Sequence, residues 1–356
     1  MTASIASVRK ASRTDMKRQE LPAEVGDHGG SLTRARRLFP DVTVPWLDLS
    51  TGINPHSYPL PELPATAFSA LPEMARLDEL RSVAADFYGA RGAELVVAAP
   101  GTQILLPQVM ELVAPGKVVV LSPTYAEHAR AARLAGHSVT ETSDFEMLAE
   151  ADLAVVVNPN NPDGRIAPRS ALLALADHLA AKGGLLVVDE AFMEVAPAAD
   201  TVAGEAGRPG LVVLRSFGKF FGLAGLRLGF ALAEREVARR VATRLGPWAV
   251  SGPALEIGVA ALGDRMWQAA MRAQLESEAA RLDALLARHG LDVAGGTSLY
   301  RFLRTANVDA IFDTLGRAGI LVRNFEAQPD ALRFGLPGSE AAFARLDAAL
   351  SGLALR

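Results

Sequence analysis

The feature that most constrains this chain is a series of apolar runs alternating with helical patterns between residues 77 and 250. VVAA at Val96 is short; KVVVLSP around Val119, DLAVVVNP around Val156, GLLVVDEAF around Val187 and GLVVLRSFG around Val213 are clearer. These runs are nearly continuous in apolar residues rather than alternating, as expected of strands covered on both faces by helices. Segments between them, such as Ser170–Lys182, carry helical spacing. The pattern predicts an α/β fold built on an open, mostly parallel sheet. After Ala249 it changes. One long helical stretch from Pro253 to Gly290, with Gly290 as its C-cap, precedes the strand-like runs SLYRFLR, GILVRNF and ALRFGLP. Four regions follow: a flexible arm (1–27), a segment expected to pack on the smaller domain or on a neighbouring subunit (28–76), a large domain (77–250) and a smaller α+β domain (251–356).

Composition excludes several functions. Half of the 356 residues are hydrophobic, and 36 basic against 40 acidic residues leave a net charge of -4. That balance points away from nucleic acid and anionic membranes as partners. The absence of cysteine excludes disulfides and thiolate metal sites, and no metal is expected. No uninterrupted apolar run reaches the roughly 18 residues of a membrane span. MTASIASVRKASRTDMKRQE carries Arg9, Lys10, Arg13, Lys17 and Arg18 but lacks the apolar core of a secretory signal. A soluble cytoplasmic protein is expected.

In open α/β sheets ligands bind beyond the carboxyl ends of the strands. There this sequence places Gly101, Thr102 and Gln103 at a loop entering a helix, Tyr125 in SPTYAEH, Asn158 and Asn161 in NPNNPDG, Asp189 in VVDEAF, and Ser216 and Lys219 in RSFGKFFG. Each has an ordinary structural explanation: a helix cap, a packed ring, a turn, a solvated amine. Together they describe one pocket with a phosphate cradle, an aromatic face, an amide, a carboxylate and an amine. That set suits pyridoxal 5′-phosphate, which needs a lysine for its Schiff base, an acid at the pyridine nitrogen and phosphate donors. Lys219 supplies the amine, its pKa lowered by apolar walls and neighbouring cations. Asp189 pairs with the pyridinium. Thr102, Gln103, Ser216 and Arg227 hold the phosphate, Tyr125 stacks on the ring and Asn158 donates to its 3-oxygen.

The order and spacing of Asn158, Asp189, Lys219 and Arg227, in NPNNPDG, VVDEAF and SFGKFFGLAGLRLGF, resemble the fold-type I pyridoxal-phosphate enzymes of the aminotransferase class I/II superfamily. Within it the chain is similar to the branch of histidinol-phosphate aminotransferases and threonine-phosphate decarboxylases, most of all the decarboxylase-like proteins of cobalamin biosynthesis. HGGSLTRARRLFP at His28, WLDLSTGINPHSYPLP at Trp46, APGTQIL at Ala99 and LRFGLPG at Leu332 carry that resemblance. The sequence departs from the aminotransferase pattern twice. Phe192 stands where those enzymes carry a cofactor-binding tyrosine. Leu71-Pro72-Glu73 stands where they carry a YPD tyrosine that reaches the neighbouring subunit's phosphate, with Tyr58 as a candidate substitute.

The resemblance implies a homodimer acting on a small phosphorylated amino acid, with Arg333 at the substrate carboxylate and Arg323 at its phosphate. His28, Ser31 and Asn54 are further candidates for substrate contact. The expected reaction is decarboxylation of L-threonine O-3-phosphate. Amino transfer to a histidinol-phosphate-type substrate, and a non-catalytic cofactor-binding partner in a cobalamin complex, are the alternatives. The S-x-x-K string from Ser216 to Lys219 matches one motif of penicillin-binding serine enzymes, but the S-D-N and K-T-G motifs that should follow do not occur.

Overall fold

The computed structural model describes residues 29–353. The described chain opens with a short helix, Leu32–Leu38, and strand β1 (Leu47–Asp48). Seven strands then form the central sheet: β2 (Val96–Ala99), β3 (Lys117–Leu121), β4 (Ser138–Thr142), β5 (Leu153–Val157), β6 (Leu185–Asp189), β7 (Leu211–Ser216) and β8 (Gly229–Ala233). Their spatial order is β2-β8-β7-β6-β5-β3-β4. β3 to β7 are mutually parallel, and β8 runs against both of its neighbours, β7 and β2.

Burial explains the composition of the strands. Every residue of β5 and β6 is buried, with side chains entering one apolar layer on each face of the sheet. Two strands of the central sheet are missing from the sequence reading, for different reasons. β4, SVTET, is a polar edge strand with no buried residue, so it shows no apolar run. β8 is fully buried, but it directly follows the glycine-rich stretch at Arg227 and lacks a separating turn signal.

The helical stretch expected as one unit is two helices, Gly252–Gly263 and Arg265–Arg288. Asp264 separates them and caps the second by accepting from the Trp267 backbone N–H at 3.0 Å. Beyond lie β9 (Val293–Thr297), β10 (Tyr300–Arg304), β11 (Ile320–Leu321), β12 (Arg323–Phe325) and β13 (Gln328–Gly335). β12-β13-β10-β9 form an antiparallel sheet.

The segment before residue 77 serves both domains. β1 pairs in parallel with β11, and Phe39 packs on Phe312 with ring centroids 5.9 Å apart, so this part sits against the C-terminal elements. Residues 54–58 instead run beneath the Lys219 helix, where the Asn54 N–H donates to Lys219 O and the Tyr58 N–H to Phe221 O. An aromatic stack supports that helix: Phe217 on Phe221 at 4.4 Å, and Phe221 on Trp267 at 5.7 Å. Deleting the fully buried Phe221 side chain would cost about 3–5 kcal/mol and would undermine the helix that carries Lys219.

Candidate active site

Because β8 runs antiparallel, its start lies beside the carboxyl ends of β2 and β7. That brings Arg227, just before β8, to the residues that follow the parallel strands. Gly101, Thr102, Gln103, Tyr125, Asp189, Phe192, Ser216, Lys219 and Arg227 line one cavity of about 170 Å³. A second cavity of about 430 Å³ shares Tyr125, Asn161, Phe192 and Lys219 with it and adds Arg323 and Arg333 from the small domain. A wider hollow of about 600 Å³ at the β2 edge contains none of these residues.

Lys219 sits half-buried on the short helix Phe217–Phe220 after β7. Burial, reinforced by the Arg333 charge and opposed by Asp189, brings its amine down to about 8. Its Nζ lies 5.9 Å from the centroid of Phe192. Phe192 is buried edge-on against Tyr300, with centroids 5.0 Å apart. Gly52 permits that packing, since a Cβ there would stand 2.9 Å from Phe192 Cε1 and 2.8 Å from Tyr300 Cδ1.

Asp189 ends β6 and is held at both oxygens. Oδ1 accepts from the Ala191 N–H at 3.1 Å, and Oδ2 lies 2.9 Å from Nε2 of the fully buried His128. A carboxylate only accepts, so the imidazole Nε2–H donates. The sequence reading missed His128. Its signal was its place in SPTYAEH, which sets His128 in the first turn of the helix that follows Tyr125.

Asn158 is fully buried. Its Oδ1 accepts from the Ala167 N–H at 2.8 Å, while Nδ2 has no partner within the protein. A buried amide with an unspent donor is costly unless a ligand takes it. At the other end of the cavity Gly101 caps the helix Thr102–Met110 with φ +84, and a Cβ there would fall 2.6 Å from Arg227 Nη2. The glycine therefore lets the guanidinium lie against the helix start, where backbone N–H groups and a cation converge on an anion. Arg227 itself adopts a left-handed φ of 56° and donates from Nη1 to Ala224 O.

Three placements correct the sequence reading. The Gln103 side chain does not serve the phosphate cradle: its Oε1 accepts from the Tyr125 hydroxyl and its Nε2 donates to Glu127, both at 3.0 Å. Burial, then Glu127 and Asp189, push Tyr125 up to about 12, so the hydroxyl keeps the proton it donates. Asn54 lies under Lys219 rather than in either cavity, donating to Phe220 O and accepting from the His56 N–H. Tyr58 is buried in its own chain between Phe221 and Trp267, with its hydroxyl on Asp264, which removes it as a substitute for the cross-subunit tyrosine.

In the second cavity, Arg323 and Arg333 are register partners on β12 and β13 and share a face. Arg333 is buried, bonded to Asn161 Oδ1 and to Ser50 O, with its guanidinium 5.0 Å from the Tyr300 centroid. Burial brings it down to about 10, leaving it cationic at neutral pH. Ser31 caps the helix Leu32–Leu38 and lines a small hollow with Arg323. His28 lies outside the described residues. Among those described, no group of acidic and histidine side chains suits a metal, and no helix is long and apolar enough to cross a membrane.

The geometry agrees with the comparisons. The family model described as aminotransferase class I and II matches residues 47–349. The chain is 48% identical over 329 residues to a threonine-phosphate decarboxylase from Pseudomonas aeruginosa, covering 92% of this chain and 97% of that one. It is 43% identical over 332 residues to one from a Sinorhizobium species, covering 92% and 98%. A structure of histidinol-phosphate aminotransferase from Sinorhizobium meliloti in complex with pyridoxal-5′-phosphate superposes with a TM-score of 0.74 at 22% identity, covering 89% of this chain and 93% of that one. Pyridoxal 5′-phosphate is the cofactor this site fits: amine, carboxylate and anion cradle line one cavity, and Asn158, next to the lining residue Val157, keeps an unspent amide donor. With its family model and two full-length relatives in agreement, the chain belongs to the aminotransferase class I and II family.

Proposed function

We propose that this protein is a pyridoxal-phosphate-dependent lyase that decarboxylates L-threonine O-3-phosphate to (R)-1-aminopropan-2-ol O-phosphate. The observation that carries the reading is the near-full-length identity to two threonine-phosphate decarboxylases. The site supports it with two arginines of the small domain facing one cavity beside Lys219, a number suited to a substrate bearing a carboxylate and a phosphate.

When bound, the cofactor supplies an electron sink for the breaking bond. Lys219 would hold and release the cofactor through its Nζ, whose lowered pKa gives a larger share of free amine near neutral pH than an ordinary lysine has. Asp189, locked by His128 and the Ala191 N–H, would hold a negative charge for the cofactor's ring nitrogen. Asn158 Nδ2, which has no protein partner, would donate to the cofactor's ring oxygen, and Tyr125, pinned by Gln103, would pack on its ring. Arg227, Ser216 and the N–H groups following Gly101 bind the cofactor phosphate. Arg323 takes the substrate phosphate and Arg333 orients the carboxylate before it departs as carbon dioxide. Lys219 then returns a proton to the carbon that lost it. The buried Phe192 and Tyr300 rings exclude water from that carbon.

Replacing Lys219 with alanine tests the assignment, because the variant should lose both turnover and the visible absorbance of bound cofactor. Retained activity would remove Lys219 from the mechanism. We also infer a homodimer, supported by exposed apolar side chains at and beside the wider hollow: Phe68 at 70%, Leu71 at 65%, Met74 at 54% and Trp248 at 52% exposure. A second copy covering that face would give them a partner, and sedimentation at micromolar concentration would reveal it. The resemblance to decarboxylases of cobalamin biosynthesis supports a role for the product in the cobalamin nucleotide loop.

A further inference from the structure

Directly behind the cofactor site lies a buried cluster of charge that the mechanism above does not use. Successive side chains of a strand point to opposite faces of the sheet. Asp189 and Ser216 face the cofactor cavity, so their chain neighbours Glu190 and Arg215 face the other way and meet across the strand ends. Arg215 is 5% exposed and donates from Nη1 to Glu190 Oε2 at 2.5 Å and from Nη2 to Glu194 Oε1 at 2.9 Å. Glu190 is fully buried and also accepts from the Thr201 hydroxyl at 2.6 Å and the Val202 N–H at 2.7 Å. The Tyr88 ring covers the guanidinium at 4.5 Å. Arg272, on the long helix of residues 265–288, donates to Glu194 O at 2.7 Å and lies 5.0 Å over the ring of Phe220, the residue after Lys219.

Stability alone is a poor reason for such a cluster. Removing these charges from water costs several kcal/mol per ion, and well-packed apolar side chains of similar volume often do as well or better. What an apolar substitute would lose is direction: a planar fork holding two carboxylates sets where the groups bearing them can stand. We propose that Arg215 is a positioning residue for the cofactor, clamping the ends of β6 and β7 from behind through Glu190 and Glu194 so that Asp189 keeps its place relative to Ser216 and Lys219. Burial works against the Arg215 charge, but Glu194 and Glu190 outweigh it and hold its pKa above the ordinary value, so the guanidinium stays charged, while burial pushes the Glu194 carboxyl up. The inference rests on the cofactor reading above.

The test uses the full-length protein with Arg215→Met, Arg215→Lys and the near-isosteric Glu190→Gln, and with Glu340→Gln at the exposed Arg281 pair as a control. Three quantities are measured for each: the melting temperature of the apoprotein, the dissociation constant of pyridoxal phosphate, and the pH midpoint of the visible band of the lysine-bound cofactor. The last two are taken at a temperature where the apoprotein is folded. A displaced Asp189 predicts cofactor binding weaker by about 10- to 100-fold in Arg215→Met, with a moved pH midpoint. Arg215→Lys, which keeps the charge but loses the fork, should fall between Arg215→Met and the parent, and Glu190→Gln should move in the same direction. If Arg215→Met does not fold, the other two variants decide. Lower melting temperatures with cofactor affinity and pH midpoint unchanged from the parent would make the cluster merely structural and overturn the proposal. A parent protein that shows no visible band would instead overturn the cofactor reading, which keeps the two failures distinct.

Discussion

Lys219 is costly to the protein that carries it. The site draws its pKa from an ordinary 10.5 to about 8, a gap that converts at about 1.36 kcal/mol per pH unit to roughly 3 kcal/mol. The unfolded chain holds that proton up to the ordinary value and the folded apoprotein only up to about 8. Below about 8 the whole cost therefore weighs on the folded state; it is relieved as pH climbs between the two values and vanishes above them. Replacing Lys219 with methionine, similar in length and uncharged, removes the term. The apoprotein of Lys219→Met should then be more stable than the parent by up to about 3 kcal/mol at neutral pH, visible as a higher melting temperature, while catalysis is lost. Thermal unfolding of both apoproteins at pH 7 and near pH 10 should show the gap narrowing as pH rises. A variant no more stable than the parent at neutral pH, or a gap that stays constant with pH, would refute the argument that burial and the Arg333 charge strain this amine.

Other consequences follow from the same geometry. Gly101→Ala puts a side chain at φ +84 and within 2.6 Å of Arg227 Nη2, so cofactor titration should show markedly weaker binding along with a loss of about 1–2 kcal/mol in stability. His128→Leu deletes the hydrogen bond to Asp189 Oδ2, and a bond to a charged group is worth about 1.5–3 kcal/mol, or about 10- to 100-fold in cofactor affinity by equilibrium dialysis. Arg323→Gln should raise the KM for L-threonine O-3-phosphate by about 10-fold or more while leaving the spectrum of bound cofactor unchanged. A changed spectrum would place Arg323 at the cofactor instead.

Sequence legibility tracked burial where a turn signal also set the strand apart, which buried β8 lacks. β3, β5, β6 and β7 are continuous apolar runs because helices cover both of their faces, and that same arrangement placed Asp189, Ser216 and Lys219 at one end of the sheet. β4 escaped detection because an edge strand with no buried residue need not be apolar. The helix break at Asp264 escaped because an aspartate inside a helical pattern has the same composition whether it caps a new helix or faces solvent. Local spacing also could not show where polar side chains turn. Asn54 and Tyr58 look like ligand residues in STGINPHSYP, yet both bond within their own chain, Asn54 beneath Lys219. Gln103 follows a glycine at a helix start and resembles a phosphate ligand, but a tyrosine 22 residues away claims its side chain. The Arg215 cluster was hidden for a related reason: Glu190 and Arg215 are adjacent in sequence to Asp189 and Ser216 and opposite to them in space, which only the sheet register reveals.

The reaction itself is the most direct test. Purified protein with pyridoxal phosphate would be given L-threonine O-3-phosphate alone, or histidinol phosphate with 2-oxoglutarate, and mass spectrometry would follow aminopropanol phosphate and glutamate. The account predicts aminopropanol phosphate from the first mixture and no glutamate from the second. Glutamate from the second with no product from the first would preserve the fold and the cofactor residues and contradict the assignment as a decarboxylase.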